Sequence, residues 1–486
     1  MRPRRSAVFL ATAVAMVMIG SASFGVVAAG LGATEEIVGA HASLSLTSTF
    51  YQKSIPAGAT LGPYCGGLIC YTWQDLKAAY NYPKSLDGSG QTIVLLDAFG
   101  DPTVQADLNV FDSTFGVPAT TVQVVCQGGT CPTFNNGSSD ELGWSQEITL
   151  DVQYSHAMAP GAHIVLFVAK NDQDLTLEKA ALQAIKMFPH AVLSQSFGDP
   201  ELDLLTSSPS YVSSVLTTGE KAYALAAREG TTVFASAGDW GADNSPFGFT
   251  SANPAYPSSS PLVTAVGGTM GNPYYLDSTP SCGVAATCST GLVTFKNTAA
   301  CQLNNPSADP FAVKCIPVGY GGEQVWNEPA FGAATGGAPS LIFPAPSYQA
   351  GLGLTGRATP DVSYDASIDG GVLGYWGTLG AGSPATGFYI FGGTSSGSPQ
   401  WAAIAALADQ LDIKLTGGTL GFINPALYEI GHNAQLYALT FHDITVGNNL
   451  IAGGYVGFNA GPGWDDASGW GTPNVANLVP WLVALT

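Results

Sequence analysis

From about residue 90 onward the chain alternates short apolar, β-branched runs with longer stretches of helical periodicity. The runs at 92–97, 122–126, 163–168, 191–196, 231–236 and 262–266 contain few polar positions, the pattern of strands covered on both faces. Between them, 102–115, 140–155, 175–187 and 213–228 repeat apolar residues at three- and four-residue spacing, which predicts amphipathic helices. This alternation predicts an α/β fold with a mostly parallel central sheet and helices on both faces. Functional residues of such sheets gather at the carboxyl ends of the strands. The rhythm breaks at 267–354, where Gly, Pro, Asn and Ser clusters predict long surface loops inserted into the domain. Residues 30–70 are weakly patterned and read as an N-terminal extension, which leaves 71–486 as the main domain.

Composition narrows the setting. Hydrophobic residues make up 46% of the 486, charged residues 10%, and 60 glycines and 31 prolines indicate a loop-rich globular protein. Fifteen Lys and Arg against 35 Asp and Glu give a net charge of -20, which repels phosphate backbones and excludes nucleic acid as a partner. Repulsion among the carboxylates relaxes as pH falls toward about 4, so the composition suits an acidic medium. Basic residues at Arg2, Arg4 and Arg5 precede an uncharged stretch from Ser6 to Thr34 with small residues near Ala28 and Ala29. That is the layout of a signal peptide at 1–29, and it predicts a secreted protein that meets a membrane only if the segment stays uncleaved; a monomer is expected. Eight cysteines fall into four local pairs, Cys65/Cys70, Cys126/Cys131, Cys282/Cys288 and Cys301/Cys315. An even count in an exported chain favours disulfides over a metal site, and nearest-neighbour pairing is the simplest connectivity.

The segment from Phe391 to Ala403, Phe-Gly-Gly-Thr-Ser-Ser-Gly-Ser-Pro-Gln-Trp-Ala-Ala, carries the most specific chemistry. Glycines make a tight turn, Ser395 follows, and an Ala-rich helix begins within a few residues. The hydroxyl then sits at a helix N-terminus, where backbone N–H groups favour developing negative charge, as an acyl-transfer nucleophile requires. A histidine base would need a His-Gly-Thr setting, and none of the six histidines has one. Instead Glu147 and Asp151 stand four residues apart on a predicted helix and share one face, with Trp144, Ile148 and Val152 on another. Ser138 and Glu141 are placed to cap that helix reciprocally.

Together these segments resemble the sedolisin, or serine-carboxyl peptidase, family of the subtilase clan, over most of the chain from Cys70 to the C-terminus. The resemblance implies an endopeptidase in which Glu147 takes the proton of Ser395 and Asp151 orients Glu147. Ser236-Ala237-Gly238-Asp239-Trp240-Gly241 resembles the family's oxyanion stretch, so Asp239, protonated in acid, donates to the oxyanion. Ser194, Ser196 and Gly198 resemble the segment that lines the bound peptide, with Gly198 allowing close backbone approach. Asp443, Ile444, Gly461, Gly463 and Asp465, within 435–475, resemble the family's loop for one Ca²⁺ ion, a hard cation that takes carboxylate and carbonyl oxygens. The implied partners are protein or peptide substrates, and the implied activity is confined to roughly pH 3–5. The family carries a long prosegment, for which the residues before the first strand are too few, and Asp97 reads as structural. Two other readings are open: an inactive extracellular binding protein on the same scaffold, and a glycosidase, whose paired acids must face each other across a cleft.

Overall fold

The computed structural model describes residues 51–54, 64–65, 68–243, 249–272, 287–296, 315–377 and 386–486. The proposed signal segment, Cys282 and Cys301 lie outside them, as does most of the extension. The described residues form one compact unit.

Its centre is an eight-stranded sheet built from Thr92–Ala98 (β1), Gln123–Cys126 (β2), His163–Ala169 (β3), Val192–Gln195 (β4), Thr232–Ser236 (β5), Thr264–Gly271 (β6), Glu323–Val325 (β7) and Val362–Asp365 (β8). The order is β7-β6-β5-β4-β1-β3-β2, with β8 also paired to β6. Every pairing is parallel except β6 with β7. The runs are continuously apolar because alternate residues enter two different cores. Ile93 and Leu95 of β1, with Ile164 and Leu166 of β3, face one layer, and Val94, Leu96, Val165 and Phe167 face the other.

Helices Val104–Phe115 (α1), Ser139–Met158 (α2) and Gly397–Leu415 (α5) supply the first layer, and Asp174–Met187 (α3) and Pro209–Glu229 (α4) the second. After β1 the chain runs to β2 at one edge and returns through β3, whereas β4 starts outward on the other side of β1. The connections therefore diverge between β1 and β4, and the crevice beyond the carboxyl ends of these two strands is where an open α/β sheet binds ligands.

Two regions expected to be irregular are more ordered. In the 267–354 region, Thr287–Ser289, Val293–Lys296 and Ile316–Tyr320 form an antiparallel sheet, and Val293 and Phe295 enter the main core. Within the extension, Tyr51–Ser54 pairs antiparallel with Gly387–Gly392, the strand that leads to Ser395. The short apolar spacing of these strands gives no periodic signal by itself. Disulfides join Cys65 to Cys70 and Cys126 to Cys131, and Cys288 and Cys315 are also disulfide-bonded. Among the described residues no helix is long and apolar enough to cross a membrane.

Candidate active site

The site assembles at the predicted crevice. Helix α2 starts at Ser138, whose hydroxyl accepts the Glu141 N–H. Only half of the expected capping box forms, because the Glu141 carboxylate accepts from Asn135 N, 2.6 Å away, instead of reaching back to Ser138. From Trp144 to Met158 every residue of α2 is buried, so Glu147 and Asp151 are not on a solvated face. The apolar residues beside them split: Ile148 and Val152 pack in the first core, and Trp144 joins the second, its ring 6.1 Å from that of Phe197.

Ser395 reaches the same place from the other side. Gly393, at φ 107°, makes a turn that a side chain would strain, and Thr394–Ser396 form one tight turn that runs into α5. The Ser395 hydroxyl is fully buried and donates, at 3.5 Å, to the carbonyl of Ser196 just beyond β4. The Ser196 hydroxyl in turn donates to Asp151 Oδ1 at 2.9 Å. Ser196 thus links the nucleophile to the acid pair. Among the described residues no histidine is bonded to Ser395; His156 sits on α2 but contacts the Pro118 carbonyl and Asp112.

Three carboxyls meet here, not two. Both oxygens of Glu147, both of Asp97 and Oδ2 of Asp151 are buried without a hydrogen bond. Asp97 ends β1 and raises the proton affinity of both Glu147 and Asp151. Burial is the largest cause of the upward shift in each; for Glu147 the nearby hydroxyls of Ser395 and Ser196 oppose it, and for Asp151 that of Ser196 does. Burial pushes Asp97 itself up to about 8. Three carboxyls with no cation beside them among the described residues cannot all ionise, so the cluster holds protons. Asp97, read from sequence as structural, belongs with the acid pair. The signal was its position at the carboxyl end of a central strand.

Asp239 completes the site. Its Oδ1 accepts from both the N–H and the hydroxyl of Thr394, each at 2.8 Å, while Oδ2 is buried without a partner. Burial pushes it up to about 7, against the two Thr394 bonds. In acid Oδ2 therefore carries a proton that nothing among the described residues accepts. The remaining expected contact residues take different parts. Ser194 is buried and bonded to Ser398 Oγ at 2.8 Å, which ties β4 to α5. A β-carbon on Gly198 would stand 2.9 Å from that of Ala255, so packing within the chain already requires glycine there.

The C-terminal loops bring Asp443 and Asp465 into one neighbourhood. Gly463 N–H donates to Asp443 at 3.1 Å and Gly461 N–H to Asp465 at 2.8 Å. Ile444 is buried in the small core beneath. Among the described residues no three His, Cys, Asp or Glu side chains converge, so a cation would rest on two carboxylates and backbone oxygens. The donor set fits a hard divalent ion: it is all oxygen, and the adjacent Asp466 has a buried oxygen without a partner.

Comparison with known proteins identifies the fold and its relatives. The chain matches the Subtilase family over residues 133–471. It is 31% identical to kumamolisin of Bacillus sp. (strain MN-32) over 424 residues, which cover 85% of this chain and 64% of that protein. It is 30% identical to tripeptidyl-peptidase 1 of Rattus norvegicus over 480 residues, covering 92% and 70%. The chain thus spans 64% and 70% of the lengths of these two relatives. Among solved structures, Pseudomonas sedolisin, a serine-carboxyl proteinase complexed with two molecules of pseudo-iodotyrostatin, superposes with a TM-score of 0.64 at 26% identity, covering 86% of this chain and 99% of that one.

Proposed function

The chain belongs to the subtilase clan and within it to the sedolisin family, and from that premise we propose that it is a secreted endopeptidase that cleaves protein or peptide substrates in acid through a Ser395 acyl-enzyme. The observation that carries the reading is a buried hydroxyl at a helix tip beside a cluster of buried carboxyls that no cation among the described residues pairs with. In the first step Glu147 takes the Ser395 proton as Oγ attacks the peptide carbonyl carbon. The carbonyl oxygen becomes an oxyanion, to which protonated Asp239 Oδ2 donates. Glu147 returns the proton to the leaving amine, the C–N bond breaks, and water releases the acyl group by the same steps. Asp151, held by Ser196, and Asp97 keep shared protons near Glu147. Asp239 can donate only below about pH 7, and the base is the ionised fraction of an acid cluster that burial holds largely protonated, so the donor sets the upper limit and the activity is confined to acid.

The test is incubation of the purified protein at about pH 4 with denatured protein and, separately, with polysaccharide. Peptide fragments from the first and no sugar from the second are expected. Intact protein substrate would end the reading.

Asp239 yields a graded prediction. Asp239→Ala removes the oxyanion donor and should lower kcat by about 10²–10³, with KM little changed. Asp239→Asn keeps an acceptor for Thr394 and a permanent N–H donor, so it should retain more activity than alanine and hold it to higher pH. Steady-state kinetics across the acid range decide the matter, and equal losses in the two variants would remove Asp239 from the oxyanion role.

We also assign one Ca²⁺ to Asp443 and Asp465 with backbone oxygens of Ile444, Gly461 and Gly463. Bound there, the ion would neutralise the carboxylates and pin the loops together, so its contribution is to stability. Calcium at a hundredfold excess over its dissociation constant should stabilise the fold by about 2.7 kcal/mol. Thermal unfolding with calcium and with chelator reads this out; in Asp443→Asn the two curves should coincide.

A further inference from the structure

Behind the strand that holds the nucleophile lies a buried acid that the proposed chemistry does not use. Side chains alternate along a strand, and the last residues of β4 show the consequence. Ser194 and, just beyond, Ser196 bond to α5 and α2 at the front, while Gln195 between them reaches the back layer. There the Tyr223 hydroxyl of α4 lies 3.3 Å from Gln195 Oε1 and 2.8 Å from Glu178 Oε2 of α3. All three side chains are buried, Glu178 at 2% exposure, and no ion pair among the described residues involves Glu178. Gly219 of α4 makes room for the contact: a β-carbon there would stand 2.6 Å from Glu178 Oε2 and would collide with the Tyr256 hydroxyl.

A phenol has one proton, and here it faces two acceptors. When Glu178 is ionised, its carboxylate takes that proton in the shorter, charge-assisted bond, and Gln195 Oε1 loses its donor. When Glu178 is protonated, it donates to the Tyr223 oxygen, the Tyr223 proton is free for Gln195, and a directed chain runs from Glu178 through Tyr223 to Gln195. We propose that Glu178 is a positioning residue for the nucleophile: in acid its proton completes the chain that fixes Gln195, and with it the adjacent Ser196, whose carbonyl and hydroxyl hold Ser395 and Asp151.

The surroundings favour the protonated form. Burial is the largest cause, the bond from Tyr223 opposes it, and the negative charges of Glu220 on α4 and Asp174 on its own helix add to it. Tyr223 and, from the Ala255–Tyr256 strand, Tyr256 are the other titratable groups that face it. Gln195, the contact from β4, carries no charge. A rise in pH through the titration of Glu178 therefore releases the chain from behind the site without touching a reacting atom.

The inference rests on the peptidase reading, and its test uses the full-length protein with kcat/KM for a synthetic peptide followed from about pH 3 upward until activity is lost, with the ionisation of Glu178 followed over the same range by NMR. In Glu178→Gln the amide N–H donates as the protonated acid does, but at every pH. It should match the unmodified protein at about pH 4 and retain roughly fivefold more activity at any pH high enough to ionise Glu178, the factor one buried hydrogen bond is worth. Tyr223→Phe breaks the chain at all pH values. It should lose roughly fivefold at about pH 4, and adding Glu178→Gln to it should change nothing further. Superimposable profiles for Glu178→Gln and the unmodified protein, or losses that multiply in the double variant, would overturn the inference while cleavage itself stands. An unmodified protein that cuts no peptide overturns both. If Glu178→Gln does not fold, Tyr223→Phe alone decides, since a missing link must flatten its profile relative to the unmodified protein. A purely structural Glu178 would move the Tm and leave the shape of the profile alone.

Discussion

Ser395→Ala is expected to lower kcat/KM for peptide cleavage at about pH 4 by on the order of 10⁴–10⁶-fold and to leave the fold intact. The size follows from chemistry: without the hydroxyl there is no acyl intermediate, and only the oxyanion donor and substrate binding remain to assist water. Stability should hardly change, because the hydroxyl is small, its bond to the Ser196 carbonyl is long at 3.5 Å, and its removal beside a largely protonated Glu147 strands no charge. Glu147→Gln should cause a loss of comparable order, and the double variant should be no worse than Ser395→Ala, since base and nucleophile act as a unit. Single-turnover assays with circular dichroism as a control for folding check this. Activity of Ser395→Ala within tenfold of the parent would rule out a serine nucleophile.

Much of this arrangement is legible in the chain, and the limits have physical causes. The expected strands at 92–97 and 163–168 emerge as Thr92–Ala98 and His163–Ala169, because residues covered on both faces must be apolar throughout. The helix expected at 213–228 starts earlier, at Pro209 behind the cap Ser208; serine before proline is the start signal that periodicity alone passes over. Strand Thr264–Gly271 runs on through Gly267 and Gly268, residues poor in strand propensity that are needed because Pro360 and Trp326 crowd them. The order of the sheet is not legible, since the place of β1 between β3 and β4 is decided by packing among residues far apart in sequence. In the site, Glu147, Asp151 and Ser395 stand out because spacing and turn chemistry are local. Asp97 does not, because a carboxyl at a strand end reads the same whether it meets water or two other acids. The bond of Ser194 is hidden for the same reason: its partner, Ser398, is supplied by a distant helix.

Stability is expected to be greatest in acid and to fall as the medium approaches neutrality. Among the described residues a single Lys or Arg is buried in an ion pair, Arg357 with Asp361, and the other buried carboxyls must be folded without such a partner. Burial, offset by a backbone bond from Leu420 and aided by the charge of Asp412, leaves Asp409 raised to about 7. Asp101 is likewise pushed up to about 7 and Asp97 to about 8, in both mainly by burial. Each folded value lies above the unfolded one near 3.9, so each group's contribution is complete below about pH 4 and is lost as pH rises through the folded value. The window is therefore about pH 4 to about pH 8. One carboxyl shifted by about three units is worth on the order of 4 kcal/mol, against a total stability of about 5–15 kcal/mol for a typical fold. Two or three such groups suffice to bring unfolding within reach near neutrality. Melting curves at constant ionic strength should show the Tm falling across this window. Asp409→Asn isolates one contributor far along α5 from Ser395: asparagine keeps the acceptor for the Leu420 N–H, 2.7 Å away, and cannot ionise. It should leave the Tm unchanged near pH 4 and raise it near pH 7. A parent Tm that holds or rises toward neutrality, or a variant that falls as steeply as the parent, would show that these acids are folded without strain and that the acid preference of the fold has another source.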